Sequence, residues 1–252
     1  MIYFISDAHL GCKAVKWNRN RERRLVRFLD DIKDHATTIY MLGDMFDYWF
    51  EYKSVVPKGH VRFLGKIAEL TDRGIEVHFF IGNHDIWCRD YLTRECGVVM
   101  HYEPCTVEIQ GKVFYLAHGD GLGDEDRKFG FLRGMFHNRF LQWAFRWLHP
   151  DWTVPFGLRW AQHNKERHDL MGPPVYLGEE NEPLVVYSKK YLRDHPDVNF
   201  FVYGHRHIEL DLMLTRETRM LILGNWVEAF TYACFDGENM TLNTYIEGET
   251  KP

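Results

Sequence analysis

The sequence predicts an α/β protein, in which parallel strands alternate with helices and antiparallel strands follow later in the chain. Three observations support this. Short apolar runs in the N-terminal part alternate with segments of helical periodicity. Later apolar runs alternate with polar residues around glycine-containing turns. Between these parts lies a segment rich in aromatic and basic residues, which we expect to form a helical insertion.

The N-terminal part is expected to contain three strands and two helices. Strands are predicted over residues 2–6, 38–42 and 76–81. Apolar residues at helical spacing predict one helix around 25–32 and another around 61–72, which ends before Gly74. This order indicates parallel strand pairing with crossover helices.

The later strands have a different character. Residues 105–109 and 112–117 alternate around Gln110 and Gly111, which predicts a β-hairpin. Further short strands are predicted at 200–203, 210–214, 220–223, 231–235 and 241–246. Antiparallel strands in this part would form a second sheet or extend the first.

The segment between these parts, residues 122–197, is predicted to be a helical cap insertion, with residues 1–121 and 198–252 as the core. At about 100° per residue, two opposite apolar stripes arise. The first contains Phe136, Phe140, Trp143 and Trp147, and the second contains Leu141, Phe145 and Leu148. One stripe is enough to dock a helix. The other then faces more core, another subunit, a lipid tail or a membrane surface.

Length, charge and cysteine content limit the class of protein. The 252 residues suffice for one domain with an insertion, and the net charge of −5 gives no reason to expect a nucleic-acid partner. The five scattered cysteines form no C-x-x-C pair, so we expect no disulfides and a reducing cytoplasm. Because the first predicted strand begins at Ile2, we expect no signal segment, and we also expect no membrane-spanning helix.

Five of the predicted strands end in polar motifs. Each strand would deliver oxygen or imidazole groups to one rim of a sheet, where ligands usually bind. The motifs are Asp7-Ala8-His9, Gly43-Asp44, Gly82-Asn83-His84-Asp85, His118-Gly119-Asp120 and Gly204-His205-Arg206-His207. Each alone is common as a turn or cap, but their joint occurrence at strand ends predicts a metal site.

The candidate metal ligands are carboxylate, amide and imidazole groups: Asp7, His9, Asp44, Asn83, His118, His205 and His207. A set without thiolates suits divalent ions such as manganese, iron or zinc. Two ions about 3.5–4 Å apart need a bridging carboxylate, and we assign that role to Asp44. One ion would then be bound by Asp44 together with Asp7, His9 and His207. The other ion would be bound by Asp44 together with Asn83, His118 and His205.

This motif set resembles that of the calcineurin-like metallophosphoesterases. Their pattern of D-x-H, G-D, G-N-H-D/E, H and G-H-x-H is met in full across residues 1–207. The resemblance implies a two-sheet β-sandwich flanked by helices. It also implies two divalent metal ions, manganese first among them, and hydrolysis of phosphoesters.

Within that family the sequence is most similar to the branch that acts on UDP-2,3-diacylglucosamine in lipid A biosynthesis. The shared features are residues 43–49, the acidic residues 124–126 after His118-Gly119-Asp120, the helical insertion before Gly204, and the loop at 223–226. This likeness implies cleavage of the pyrophosphate to UMP and 2,3-diacylglucosamine 1-phosphate, by attack of water on the α-phosphorus.

One position departs from that branch. Its better-known members carry arginine after the motif asparagine, whereas this chain has His84, as in the wider family. An arginine contact suffices for a phosphate leaving group, while a protonated histidine helps an alkoxide to leave. His84, oriented by Asp85, permits both substrate types. Asn83, His84 and Asp85 are therefore the expected catalytic group.

The insertion would supply the substrate contacts. Phe136, Phe140, Trp143 and Trp147 are candidates for contact with acyl chains; core or dimer packing is the alternative. In the resembling enzymes the second cap helix contacts the nucleotide and sugar, which makes Asn164 and Lys165 candidates there, with plain surface exposure as the alternative. Mixed aromatic and basic surfaces also suit peripheral attachment to a membrane.

The expected partner is thus a lipid-linked nucleotide sugar, with no protein partner. The expected location is cytoplasmic, peripheral to the inner membrane. Two other functions stay open. One is a metallophosphoesterase for another nucleotide or phosphodiester, which would not depend on the aromatic cap. The other is a non-catalytic scaffold with the same fold, such as the retromer scaffold subunit, which would be free to lose some of the seven ligands.

Overall fold

A computed structural model describes residues 1–12, 18–123, 130, 134–169 and 174–247, without the side chains of 18, 162 and 164–169. The strands are β1 (Ile2–Ile5), β2 (Thr38–Leu42), β3 (Glu76–Phe80), β4 (Val99–His101), β5 (Cys105–Ile109), β6 (Lys112–Ala117), β7 (Phe200–Tyr203), β8 (Glu209–Met213), β9 (Arg219–Leu223), β10 (Thr231–Phe235) and β11 (Met240–Thr244). The helices are α1 (Asn18–Ile32), α2 (Val61–Asp72), α3 (Tyr91–Cys96), α4 (Arg139–Phe145), α5 (Pro150–Asp169) and α6 (Pro183–Asp194).

The strands form two sheets. The first has the order β11-β10-β1-β2-β3-β4, and the second has the order β5-β6-β7-β9-β8. Strands β1 to β4 pair in parallel, as do β6, β7 and β9. The sequence left open whether the late strands extend the first sheet or form a second one, and both occur. Strands β10 and β11 extend the first sheet, while β8 and β9 belong to the second.

The two sheets pack face to face, with helices outside them. Alternate residues of a strand point to opposite faces, so Phe4 faces the second sheet, while Tyr3 and Ile5 face the helices. The ring of Phe4 lies between Tyr40 of its own sheet and Phe114 of the other, with centroids 5.2 and 5.8 Å away. Helices α1, α2 and α3 cover the first sheet, and α6 covers the second. The predicted two-sheet sandwich flanked by helices is confirmed.

The hairpin of β5 and β6 forms as predicted, with Ile109 opposite Lys112. Gln110 and Gly111 take φ values of 50° and 79°, the left-handed values that a tight hairpin turn requires. The predicted strand over 76–81 ends one residue earlier, at Phe80. Helix α3 and strand β4 were not predicted, and α6 lies within the segment that was predicted only as a helical insertion.

The division into a core and a cap insertion over 122–197 stays a prediction. Within that range α6 packs its buried residues Leu184 and Val185 against the second sheet. Helix α5 instead approaches the loop after β2, where Gly157 lies so close to the ring of Tyr48 that a Cβ atom would overlap it. A glycine is therefore required at this crossing.

Two other expectations concern cysteines and membrane spans. The described residues include all five cysteines, and no disulfide is formed among them. In the described part of the chain, no helix is both long and apolar enough to cross a bilayer.

Candidate metal centre

The five polar motifs meet at one rim of the sandwich, because their strands run in parallel within each sheet. Backbone hydrogen bonds join the loops across the rim. The Asp7 amide donates to the Gly43 carbonyl at 3.1 Å, and the Gly204 amide donates to the His118 carbonyl at 2.9 Å. The His205 amide donates to the Asp7 carboxylate at 2.9 Å, which links the first sheet to the second.

Asp7, His9 and His207 form a first cluster of donor atoms. The His207 Nε2 atom lies 3.1 Å from Asp7 Oδ1 and 3.2 Å from His9 Nε2. His9 Nε2 lies 3.9 Å from the same Asp7 oxygen. All three offer ligand atoms within 4.8 Å of one another, as a shared metal ion requires.

Asp44, Asn83 and His118 form a second cluster beside the first. The His118 Nε2 atom lies 3.3 Å from the Asn83 amide oxygen and 3.4 Å from Asp44 Oδ2. The same Asp44 oxygen is 3.8 Å from His9 Nε2, so Asp44 stands between the clusters. The ring of His205 lies edge-on to that of His118, with centroids 5.1 Å apart. The structure thus brings six of the predicted ligands into two adjoining clusters, with the His205 ring beside His118, and Asp44 has the position of a bridge.

The chemistry of these donors fits divalent cations. Asp7 Oδ1 is buried and, among the described residues, makes no hydrogen bond, while imidazole nitrogens face it. Burial alone would lower the pKa of His118, but the Asp44 carboxylate raises that pKa well above its usual value. The pKa of Asp44 is well below its usual value despite burial, because of His118 and His84. Buried carboxylates such as Asp7 and Asp44 are stable as anions only when positive charge lies close to them.

The histidine tautomers are set by groups on the far side of each ring. His118 Nδ1 donates to the Leu42 carbonyl at 2.8 Å, and His9 Nδ1 lies 3.4 Å from a carboxylate oxygen of Asp47. Each ring therefore turns its Nε2 lone pair toward the donor cluster, which is the arrangement that metal-binding histidines use. Asp47 was missed as a site residue. Its position three residues after Asp44 in the same loop was the available signal.

His84 lies against the first cluster. Its ring meets that of His9 edge-on, with centroids 4.6 Å apart, and its Nδ1 donates to the Asp47 carbonyl at 2.9 Å. Burial would lower the pKa of His84, but the carboxylates of Asp44 and Asp47 outweigh burial and raise it. The structure gives the orienting contact to Asp47, where the sequence suggested Asp85.

Asp85 has a different environment from the one expected. Its carboxylate is fully buried and accepts backbone hydrogen bonds from Gly82 at 2.7 Å and from Asp44 and Phe46 at 3.3 Å. Burial and the nearby Asp44 carboxylate raise the pKa of Asp85 to about 7. The side chain of Asp85 therefore points beneath the rim, where its hydrogen bonds link the loop that carries Asp44 to the loop that carries Asn83.

The motif glycines permit this crowding. A Cβ atom at Gly82 would lie 2.6 Å from the Asp44 backbone nitrogen, and one at Gly204 would lie 2.5 Å from Asp7 Oδ2. Candidate ligands in the left-handed backbone region are Asp7, His9, Asp44, His205 and His207, with φ from 42° to 66°. Such conformations cost energy for residues other than glycine and concentrate at functional sites.

The predicted aromatic stripe of the insertion is divided. Asn138 caps α4 by accepting from the amides of Phe140 and Leu141, so Phe136 lies in a separate helical turn and packs against Trp87, with centroids 5.3 Å apart. Phe140, Trp143 and Trp147 stay together and are 70%, 55% and 76% exposed. On the opposite side, Phe145 packs on Phe50 at 4.8 Å.

A second exposed aromatic row lies on α5, four residues apart. It contains Trp152, Phe156 and Trp160, and the rings of Phe156 and Trp160 are 6.2 Å apart. The side chains of Asn164 and Lys165, predicted to contact the nucleotide and sugar, lie outside the described residues, as do the acidic residues 124–126.

The chain was compared with known proteins. The family profile described as calcineurin-like phosphoesterase matches residues 1–209. A protein of Porphyromonas gingivalis named UDP-2,3-diacylglucosamine hydrolase is 43% identical, and the match covers 98% of each chain. A Vibrio vulnificus protein of the same name is 27% identical over 88% of each chain.

Among solved structures, Vacuolar Protein Sorting 29 from Cryptosporidium parvum is 13% identical, with coverage of 96% of this chain and 95% of that one and a TM-score of 0.45. The profile match spans most of the chain and includes every motif at the rim, from Asp7 to His207. The chain therefore belongs to the calcineurin-like phosphoesterase family.

Proposed function

We propose that this chain hydrolyses the pyrophosphate bond of UDP-2,3-diacylglucosamine, with release of UMP and 2,3-diacylglucosamine 1-phosphate, as a step of lipid A biosynthesis. The observation that carries the proposal is the full-length match, at 43% identity, to a relative named for this substrate. The convergence of six predicted donors, with the His205 ring beside His118, supports the hydrolytic chemistry.

We assign two divalent ions to the rim. Asp7, His9 and His207 would hold one and Asn83, His118 and His205 the other, with Asp44 shared. Manganese is the proposed metal, and iron and zinc suit the same donors. When bound, such ions neutralise charge on a phosphate and lower the pKa of water.

Asn83 and His84 would act on the phosphate directly. The Asn83 oxygen is turned toward His118 Nε2, which leaves the amide nitrogen to donate to a phosphate oxygen. His84 donates its Nδ1 proton to the Asp47 carbonyl, which leaves Nε2 to face the α-phosphate. Both groups would stabilise charge that grows at phosphorus during attack by water.

The exposed aromatic rows would bind the lipid part. Covering an exposed side chain such as Phe140 or Trp143 stabilises binding by up to about 3 kcal/mol. Tryptophan at such a surface also suits the boundary between lipid and water, and Arg139 and Arg146 lie on the same helix and its end. On this proposal the protein is cytoplasmic and makes peripheral contact with the inner membrane.

A second candidate function is hydrolysis of a water-soluble nucleotide or phosphodiester. The specific observation in its favour is His84, whose raised pKa suits donation of a proton to an alkoxide leaving group. A non-catalytic scaffold ranks third, because this chain keeps every one of the seven donors.

A substrate comparison tests the proposal. Manganese-loaded protein would be assayed with UDP-2,3-diacylglucosamine in detergent, with a UDP-sugar that lacks acyl chains, and with bis(p-nitrophenyl) phosphate. We expect kcat/KM to be highest for the diacylated substrate by at least about 100-fold, an advantage of roughly 2.7 kcal/mol. Equal or better hydrolysis of the soluble esters would favour the second candidate.

A further inference from the structure

Arg206 stands between two candidate metal ligands, and its side chain is held by Glu182. Its Nε atom donates to Glu182 Oε1 at 2.6 Å, and a terminal nitrogen donates to Oε2 at 3.2 Å. Two parallel hydrogen bonds of this kind fix the guanidinium in both position and orientation. The Glu182 carboxylate is fully buried, and the Arg206 side chain is 24% exposed.

The backbone conformation of the loop that carries His205 and His207 has to be stabilised by contacts with other parts of the chain. His205 and His207 have φ values of 66° and 54°, in the left-handed region that only a surrounding contact maintains. The amide of His205 is bonded to Asp7, which secures the start of the loop. Arg206 is the next residue, and its ion pair with Glu182 secures the loop just before His207.

Glu182 is itself firmly placed. Its amide donates to the Gly178 carbonyl at 2.8 Å, and its carbonyl accepts from Val186 in the first turn of α6. Leu184, the next residue but one, and the Cβ atom of His205 both lie beside Gly119, at 3.3 and 3.4 Å from the position that a Cβ atom there would take. The first turn of α6 therefore lies directly against the loops that carry His118 and His205.

Glu182 also contacts the chain that returns from α5. Its Oε2 atom accepts from the Leu177 amide at 3.5 Å, and Arg206 donates to the Val175 carbonyl at 3.4 Å. One ion pair thus joins the return segment, α6 and the metal loop. Arg206 thus directs its Nε and one terminal nitrogen to partners within the protein.

We propose that Glu182 is a positioning residue for the metal centre, which acts through its bidentate ion pair with Arg206 to hold His205 and His207 in ligating geometry. This inference rests on the proposed metal centre and does not depend on the identity of the substrate. Groups that orient metal ligands from behind change metal affinity by about 10–100-fold when they are removed.

The test measures manganese binding to metal-stripped protein by calorimetry, without substrate. Glu182→Gln keeps the size and one acceptor of the side chain but removes its charge. We expect it to weaken manganese binding about 10-fold and to raise by a similar factor the manganese concentration for half-maximal hydrolysis of bis(p-nitrophenyl) phosphate. KM for that ester at saturating manganese should stay within about twofold of wild type.

Asp211→Asn is the matched control. Asp211 forms a similar two-bond ion pair with Arg219, at 2.7 Å for the Nε bond, on two paired strands of the second sheet. It should leave manganese affinity at the wild-type value even where it lowers the Tm. Equal manganese affinity in Glu182→Gln and wild type would overturn the proposal.

A double variant keeps the test decisive if the single change disturbs folding. In Arg206→Gln and Glu182→Gln combined, no unpaired charge is left buried. We expect manganese affinity no weaker than in either single variant, because both remove the same contact. Fully additive losses would contradict a shared role. Failure of wild-type protein to bind manganese would instead overturn the metal centre and this inference together.

Discussion

His9 Nδ1 lies 3.4 Å from the Asp47 carboxylate, while His9 Nε2 lies 3.2 Å from His207 Nε2. One imidazole thus connects a buried carboxylate to the donor cluster. Because the carboxylate favours the proton on Nδ1, the Nε2 lone pair is left for a metal ion. The same Asp47 accepts from His84 through its carbonyl, so one residue orients two rings at the rim.

We expect Asp47→Asn to weaken manganese binding by about 10–100-fold, because the amide no longer fixes the His9 tautomer. His84 should keep its orientation, since the main-chain carbonyl of residue 47 is unchanged. Manganese titration of metal-stripped protein measures the effect. Asp34→Asn, at an exposed ion pair with Arg73, serves as control. Unchanged affinity in Asp47→Asn would show that His9 does not need this carboxylate.

Asp44→Ala should abolish hydrolysis of lipid and soluble substrates alike, since the shared position between the two donor clusters is lost. Metal analysis of the purified variant should show fewer than two bound ions per chain. Circular dichroism checks that the fold is kept. A folded variant with normal hydrolysis of either substrate would rule out a bridging role for Asp44.

Gly82→Ala should impair manganese binding and hydrolysis, because the added Cβ would lie 2.6 Å from the backbone nitrogen of Asp44. Gly65→Ala is the matched control. In α2, a Cβ at Gly65 meets no atom within 4 Å, so alanine should be neutral or stabilise the helix by up to about 1 kcal/mol. Similar metal binding in the two variants would refute the close approach at the rim.

Trp143→Ala should raise KM for UDP-2,3-diacylglucosamine and leave hydrolysis of bis(p-nitrophenyl) phosphate near the wild-type rate. The side chain is 55% exposed, so its loss should affect lipid contact more than stability. Phe145→Ala, on the inward side of the same helix against Phe50, should lower the Tm instead. An equal loss on both substrates in folded Trp143→Ala would count against the acyl-chain role.

The sequence predicted the rim well, because a ligand motif directly after a buried strand needs only local information. Asp7, Asp44 and His118 each follow an apolar run, and parallel pairing brings such ends together. Helix α3, by contrast, has six residues, which is too short to show a helical period.

The tertiary contacts were harder to predict. Asn138 is a favourable helix cap, yet the spacing of Phe136 and Phe140 suggested one continuous face. The contacts of Asp47 with His9 and of Glu182 with Arg206 join residues far apart in sequence. No periodicity marks such pairs, since they depend on how loops of different strands meet.

The most direct test of the proposed function is hydrolysis of UDP-2,3-diacylglucosamine in water enriched in oxygen-18. Metal-stripped protein would be assayed in detergent with and without manganese, with Asp44→Ala as control. We predict manganese-dependent release of UMP that carries the label, because the proposed attack of water is on the α-phosphorus. Oxygen-18 in the sugar 1-phosphate would contradict attack at the α-phosphorus. No UMP release alongside hydrolysis of bis(p-nitrophenyl) phosphate would contradict the substrate.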